Sequence, residues 1–312
     1  MTAEPPIVKK MPARRRGNAL GFWFFKTSLR LFGLRGTYGL LYIVCTYYLF
    51  FDRSAVESAL AYIRRRFPDH NPFRQRIDAY LLFVSQGKNL VDRFYLLAGG
   101  PEMNVPVEGW DKVTDLLKTQ HGFVLLMSHL GNWQAIMTAL RRINRRIFLL
   151  MRPEDNAAVA ESLKLDAGGG NISVISSEDP VGSIVAIMDA IKEGGIVSIM
   201  GDRSYEFTSV NVNFLGDQAK FSCGAFHVAA LAGCPVVTLL SAKTSVHEHS
   251  VRVVDVVYPK YTGDRDKKEQ LRDWVQVFAK HMEDYVARYP FQCFLFYDIW
   301  KDAIKKQYPD KA

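Results

Sequence analysis

Between residues 109 and 241, short apolar runs alternate with longer amphipathic stretches, a pattern that few architectures accept. Phe123–Ser128, Ile147–Met151, Ile172–Ile175, Ile196–Met200 and Val236–Ser241 read as strands. Trp133–Arg142, Asn156–Ala167, Val181–Lys192 and Ala225–Ala232 read as the helices between them. A strand that is apolar throughout has to be covered on both faces. Strand–helix alternation then predicts an α/β fold, a mainly parallel central sheet flanked by helices. Ahead of it, residues 55–66 and 77–97 carry helical periodicity, with Pro68 and Pro72 as breaks and Gly99-Gly100-Pro101 as the close. The expected organisation is a basic and aromatic arm with an anchor helix over 1–52. A helical lead-in and a single α/β domain over 53–300 follow, then a polar tail over 301–312.

The charge is concentrated in the arm. Of a formal net +8, residues 1–36 supply +7: Lys9, Lys10, Arg14, Arg15, Arg16, Lys26, Arg30 and Arg35 stand against Glu4 alone. The rest is a near-neutral body. Phe22, Phe25, Leu29 and Phe32 recur at helical spacing, with Lys26 and Arg30 on a neighbouring face. A helix of that kind lies among lipid headgroups. The uncharged run Gly36–Phe51 holds Tyr38, Tyr42, Tyr47 and Tyr48. As a helix it reaches roughly 24 Å, short of a hydrocarbon core of about 30 Å. Three readings stand for it: a half-inserted or monotopic anchor, a helix packed on the body, and a buried core helix. The basic arm places the N-terminus on the cytoplasmic side. Its aromatics are bunched at residues 22–25 rather than spread over a sheet face, which argues against nucleic acid as the partner.

Several chemistries lack their motifs. There is no GxSxG elbow, no GxxxxGK[ST] loop and no HExxH. Cys45, Cys223, Cys234 and Cys293 are scattered, so neither a disulfide framework nor a metal cluster is expected. Gly168-Gly169-Gly170 has the wrong spacing for a dinucleotide fingerprint, and no cofactor is expected. His247 and His249 bracket Glu248 in what reads as an exposed turn between strands.

One segment carries chemistry. Phe123-Val-Leu-Leu-Met-Ser-His129-Leu-Gly131-Asn132-Trp133-Gln134 is a strand that ends at a histidine, followed by a Gly-Asn turn into a helix. Ligands of parallel sheets bind at strand C-termini. A histidine there suits general base catalysis, and the helix N-terminus beyond it supplies free N–H groups. The residues alone also allow His129 to be a strand-end histidine capping that helix.

His129-Leu-Gly-Asn-Trp-Gln134 resembles the His-x4-Asp/Glu motif of the lysophospholipid acyltransferase superfamily, and more closely its lipid A lauroyl/myristoyl acyltransferase branch. Gly201-Asp202-Arg203 is similar to that branch's second block, and Phe214-Leu215-Gly216 with Ala219, Phe221, Gly224 and Pro235-Val236 to its third. Tyr289-Pro290-Phe-Gln292-Cys-Phe-Leu-Phe296-Tyr297-Asp298-Ile-Trp300 is similar to its Pro-x-Gln-aromatic ending. The resemblance spans roughly residues 20–300. It implies transfer of a fatty acyl group from an acyl carrier protein or coenzyme A thioester to a glycolipid or lipid-like acceptor. The place would be the cytoplasmic face of a bacterial inner membrane. His129 would be the base.

The chain departs from the pattern at Ser222 and Cys293 and, more seriously, at Gln134, where the family has a carboxylate. An amide cannot stabilise the imidazolium, and it can present N–H₂ instead of C=O to the ring. The analogous change in a serine-protease triad costs roughly 10⁴-fold in kcat. Asp202, which follows the strand 196–200, is the candidate replacement. A salt bridge with Arg203 is its other reading. Arg152 and Arg203, each just after a strand, are candidates for contact with phosphate or phosphopantetheine, or plain surface cations. Gly131, Asn132 and Trp133 are candidates to orient His129 or line the acyl path, with plain packing as the other reading of Trp133. Phe214, with Gly216 beside it, is channel wall or core. The rival functions are a non-catalytic lipid or partner binder, favoured by Gln134, and a thioesterase or lipid hydrolase using the same histidine.

Overall fold

The structure is a computed structural model that describes residues 19–97, 103–140, 143–151, 171–203 and 209–301. Its central sheet uses β1 (Val107–Glu108), β2 (Phe123–Met127), β3 (Ile147–Met151), β4 (Ile172–Ser176), β5 (Ile196–Met200), β8 (Val236–Lys243) and β9 (His249–Val257). The strand order is β1-β9-β8-β2-β5-β3-β4. Every neighbouring pair is parallel except β8–β9. The α/β class, with a mainly parallel seven-stranded sheet between helices, is as the alternation predicts.

The pleat of β2 explains why its run is apolar without interruption. Val124 and Leu126 join one core layer, Phe123, Leu125 and Met127 the other, and all five are buried. Over the first layer pack α6 (Pro180–Lys192), α7 (Gly224–Ala232) and α8 (Lys267–Arg288), together with α2 (Arg53–Arg66) and α3 (Pro72–Leu97). Over the second pack α4 (Trp110–Lys118) and α5 (Trp133–Leu140). Side-chain caps start the helices: Asp52 for α2, Asp179 with Pro180 behind it for α6, and Asp266 for α8.

Helix α1 (Ala19–Phe51) joins the expected arm and anchor in one element, interrupted at Gly33, whose φ of 64° and ψ of −171° are not helical. Its inner side, Leu29, Leu34, Tyr38, Leu41 and Cys45, is buried, and α1 packs along α3. Its outer side leaves Leu31, Phe32, Ile43, Tyr47, Phe50 and Phe51 exposed. The expected apolar stripe is therefore split, with Leu29 inside and Phe32 outside. Among the described residues no helix is long and apolar enough to cross a membrane.

Three expectations change. Pro72 opens α3 instead of breaking a helix, because Asn71 ahead of it accepts the Arg74 N–H at 2.9 Å. His249 is not in an exposed turn: it opens β9 and is 1% exposed, while His247 beside it stays exposed. The antiparallel strand β9 and the separate hairpin of β6 (Ser209–Phe214) and β7 (Asp217–Ser222) were not expected. The helix expected over 156–167, Gly168-Gly169-Gly170 and most of the polar tail lie outside the described residues.

Candidate active site

Register brings the first two site residues together. Strands β2 and β5 pair in parallel with Met127 opposite Met200. His129 and Asp202 each lie two residues beyond that pair. The His129 main-chain N–H donates to Asp202 Oδ2 at 2.8 Å, and ring Nδ1 lies 3.0 Å from both carboxylate oxygens. Asp202 has no exposed surface, whereas the His129 side chain is 23% exposed. Burial pushes the Asp202 pKa up, but the His129 ring, its two kinds of hydrogen bond and the Arg203 charge outweigh it, and the carboxyl is held below its usual range. An ionised carboxylate only accepts, so the proton of a neutral ring sits on Nδ1 and Nε2 is left as the basic nitrogen. Of the two readings of Asp202, the pairing with His129 is the one the side chain adopts.

The turn after His129 is fixed from three directions. Gly131 has φ of 58°, and a Cβ there would overlap the Ser241 carbonyl oxygen on β8, so glycine is required. Its N–H donates to the Gln292 carbonyl at 2.8 Å, and its carbonyl accepts from Asn89 Nδ2 of α3 at 3.1 Å. Asn132 is buried; its N–H donates to Ser241 Oγ, and its Oδ1 accepts the Gln134 N–H, which caps α5. Asn132 is thus a cap that sets the helix start rather than a group on the His129 ring. Trp133 is half-buried against the α4–α5 layer. Gln134 is half-buried in the first turn of α5, and the carboxylate on the ring comes from Asp202, two residues past the end of β5.

The other candidates have varied placements. Arg203 Nη2 donates to the carbonyls of Phe294 (3.2 Å) and Leu295 (2.7 Å), and its Nε is buried without a hydrogen-bond partner among the described residues. Arg152 lies outside the described residues. Phe214 is fully buried, with its ring 5.8 Å from Trp300 and 5.4 Å from Phe221, and offers no surface to a ligand. Of its two readings, core is the one the packing supports. Gly216, with φ of 84°, and Leu215, with φ of 52°, form the β6–β7 turn.

A buried polar cluster joins α1, α3, β8 and β9, and the sequence reading missed it. Asp92 of α3 is fully buried; it accepts from Lys243 Nζ at 2.7 Å and from the Tyr38 hydroxyl of α1, and lies 2.8 Å from His249 Nε2. Burial pulls the Lys243 pKa down, and Asp92 opposes that. The signal was helical spacing: Asp92 sits three residues after Asn89, on the same face of α3.

Two clefts of about 360 and 610 Å³ share Asn144 and Arg145 in their linings, and neither includes His129 or Asp202. Among the described residues no group of three His, Cys, Asp or Glu side chains is placed to hold a metal.

A histidine held in one tautomer by a buried carboxylate, at the C-terminal edge of a parallel sheet, is equipped to take a proton from a hydroxyl or amine. No curated protein matches the chain. Among solved structures it is similar to the crystal structure of the 1-acyl-sn-glycerophosphate (LPA) acyltransferase PlsC from Thermotoga maritima, at 12% identity over 86% of this chain and 97% of that one, with a TM-score of 0.38. A family model described as bacterial lipid A biosynthesis acyltransferase matches residues 51–302. With most of its length matched, the chain belongs to the bacterial lipid A biosynthesis acyltransferase family.

Proposed function

We propose that this protein moves a fatty acyl group from an acyl thioester, carried on acyl carrier protein or coenzyme A, to a hydroxyl or amine of a lipid A-type glycolipid, with His129 as general base. The acceptor proton goes to His129 Nε2 as the acceptor oxygen or nitrogen attacks the thioester carbon. The tetrahedral intermediate collapses by breaking the C–S bond, and the imidazolium returns the proton to the leaving thiolate. Asp202 holds the ring in place and balances its charge when it is protonated. The single observation that carries this reading is the fully buried Asp202 carboxylate on Nδ1 of His129. It supplies the negative charge that Gln134 lacks, which weakens the case for a non-catalytic relative.

The outer side of α1 supports a peripheral seat on the cytoplasmic face of a bacterial inner membrane. Phe50 and Phe51 are 70% and 71% exposed, and the segment before them carries most of the chain's net positive charge. The test is transfer of labelled acyl groups from the thioester into glycolipid. Transfer lost in His129→Ala is the expected result; transfer unchanged in that variant removes the base. Release of free fatty acid with no acylated lipid would support the hydrolase instead.

A further inference from the structure

The segment 291–295, which follows α8, bonds to His129 on one side and to Arg203, the neighbour of Asp202, on the other. Phe294 N–H donates to the His129 carbonyl at 2.9 Å, the Gln292 carbonyl accepts the Gly131 N–H, and Leu130 and Cys293 form an antiparallel bridge between these hydrogen bonds. On the other side, the carbonyls of Phe294 and Leu295 both accept from Arg203, the residue after Asp202. The contacts form a closed ring: His129 to Phe294, Phe294 to Arg203, Arg203 along the chain to Asp202, and Asp202 back to His129.

The segment is itself anchored. Gln292 Oε1 accepts the Lys243 main-chain N–H at 2.8 Å, and its Nε2 donates to the Lys243 carbonyl at 2.9 Å, so one side chain pairs with the end of β8 as a strand would. Tyr62 of α2 donates to the Pro290 carbonyl at 2.7 Å. Cys293 is fully buried, and burial together with the nearby Asp202 charge keeps it a neutral thiol, so it adds no second anion beside the carboxylate.

We infer that residues 291–295 are a strap that sets the His129–Asp202 geometry, with Arg203 and Gln292 as positioning residues and Arg203 acting through Asp202 rather than on a substrate phosphate. The inference rests on His129 and Asp202 being the working pair. Arg203 is the joint between the strap and the carboxylate loop: a planar guanidinium reaches two successive carbonyls from one nitrogen, and an ammonium at the end of a lysine reaches them less rigidly. Displacing a reacting group by about 1 Å can cost on the order of 100-fold in rate. A positioning residue therefore acts on kcat, while a residue that grips substrate in the ground state acts on KM.

The experiment measures kcat and KM for the acyl thioester and for the lipid acceptor in the full chain and in Arg203→Met, Arg203→Lys and Gln292→Ala, beside His129→Ala. The strap predicts that Arg203→Met lowers kcat by about 30- to 100-fold with both KM values within about threefold, and that Arg203→Lys recovers part of kcat. Gln292→Ala follows the same pattern with a smaller loss, and decides by the same criterion if Arg203→Met does not fold. A KM raised about tenfold or more with kcat kept would make Arg203 a substrate-phosphate contact and overturn the strap. Unchanged kcat in both variants would overturn it too. Full activity in His129→Ala would instead remove the pair itself, an outcome that is read separately.

Discussion

Asp202 accepts both the main-chain N–H and the ring Nδ1 of His129, so one carboxylate fixes where the histidine stands and which nitrogen is basic. The geometry follows from strand register. Because Met127 and Met200 are opposite one another in β2 and β5, the residues two places on arrive at the same point of the sheet edge. The carboxylate in that position is out of water and keeps its electrostatic strength.

The pH dependence of stability reports this pairing. The Asp202 pKa is depressed in the folded state, below its usual 3.8. The sign is that of a depressed acid: the stabilisation is fully present above 3.8 and is lost as pH falls through the lower folded value. Urea unfolding of the parent and Asp202→Asn from about pH 7 down to 3 checks it. The gap between the two is predicted to narrow as pH falls below 3.8. A gap that widens below that value contradicts it.

Gly131→Ala forces a side chain into the left-handed region and against the Ser241 carbonyl. Strain of that kind costs about 1–3 kcal/mol, and relief of the overlap moves the turn that carries His129. The variant is expected to melt at a lower temperature and to lose transfer activity more than stability alone explains. A melt and a rate assay below the transition measure the two effects apart.

Asp92→Ala leaves Lys243 and His249 buried without their shared carboxylate. Removing one member of a buried ionic group costs about 3–5 kcal/mol. A loss under about 1 kcal/mol in chemical denaturation would show that the cluster is not held as an ion pair. The same variant frees the Tyr38 hydroxyl, so α1 is expected to loosen first, visible as faster amide exchange along residues 34–45.

Phe50→Ser with Phe51→Ser removes two largely exposed rings, of which Phe51 stacks on the exposed Tyr47 at 4.7 Å. Exposed substitutions change stability by about 0.5 kcal/mol or less, while a ring buried in lipid is worth about 1.5–3 kcal/mol. Binding to vesicles with anionic lipid is expected to weaken at least tenfold with the melting temperature kept. Equal binding by parent and variant would place the membrane contact elsewhere.

The sheet was legible because buried parallel strands leave continuous apolar runs, and the five expected runs are β2, β3, β4, β5 and β8. Strand β9 was not, because its burial alternates and Arg252 and Asp255 break its apolar run. Asp202 was legible from its place after β5, and its contact with His129 then depended on strand order, which sequence spacing does not state. The Asp92 cluster was hidden for the same reason: its members come from α1, α3, β8 and β9, and only tertiary packing brings Tyr38, Asp92, Lys243 and His249 together. Phe214 was ambiguous because a channel wall and a core want the same ring; only its complete burial separates them.

The most direct measurement is acyl transfer from labelled thioester into glycolipid by the parent, Asp202→Asn and Gln134→Glu, with matched folding by circular dichroism. The account predicts activity in the parent, a loss of about 10³- to 10⁴-fold in Asp202→Asn, and a change under about threefold in Gln134→Glu. Full activity in Asp202→Asn, or activity that appears only in Gln134→Glu, would contradict it, and the second result would return the carboxylate's role to position 134.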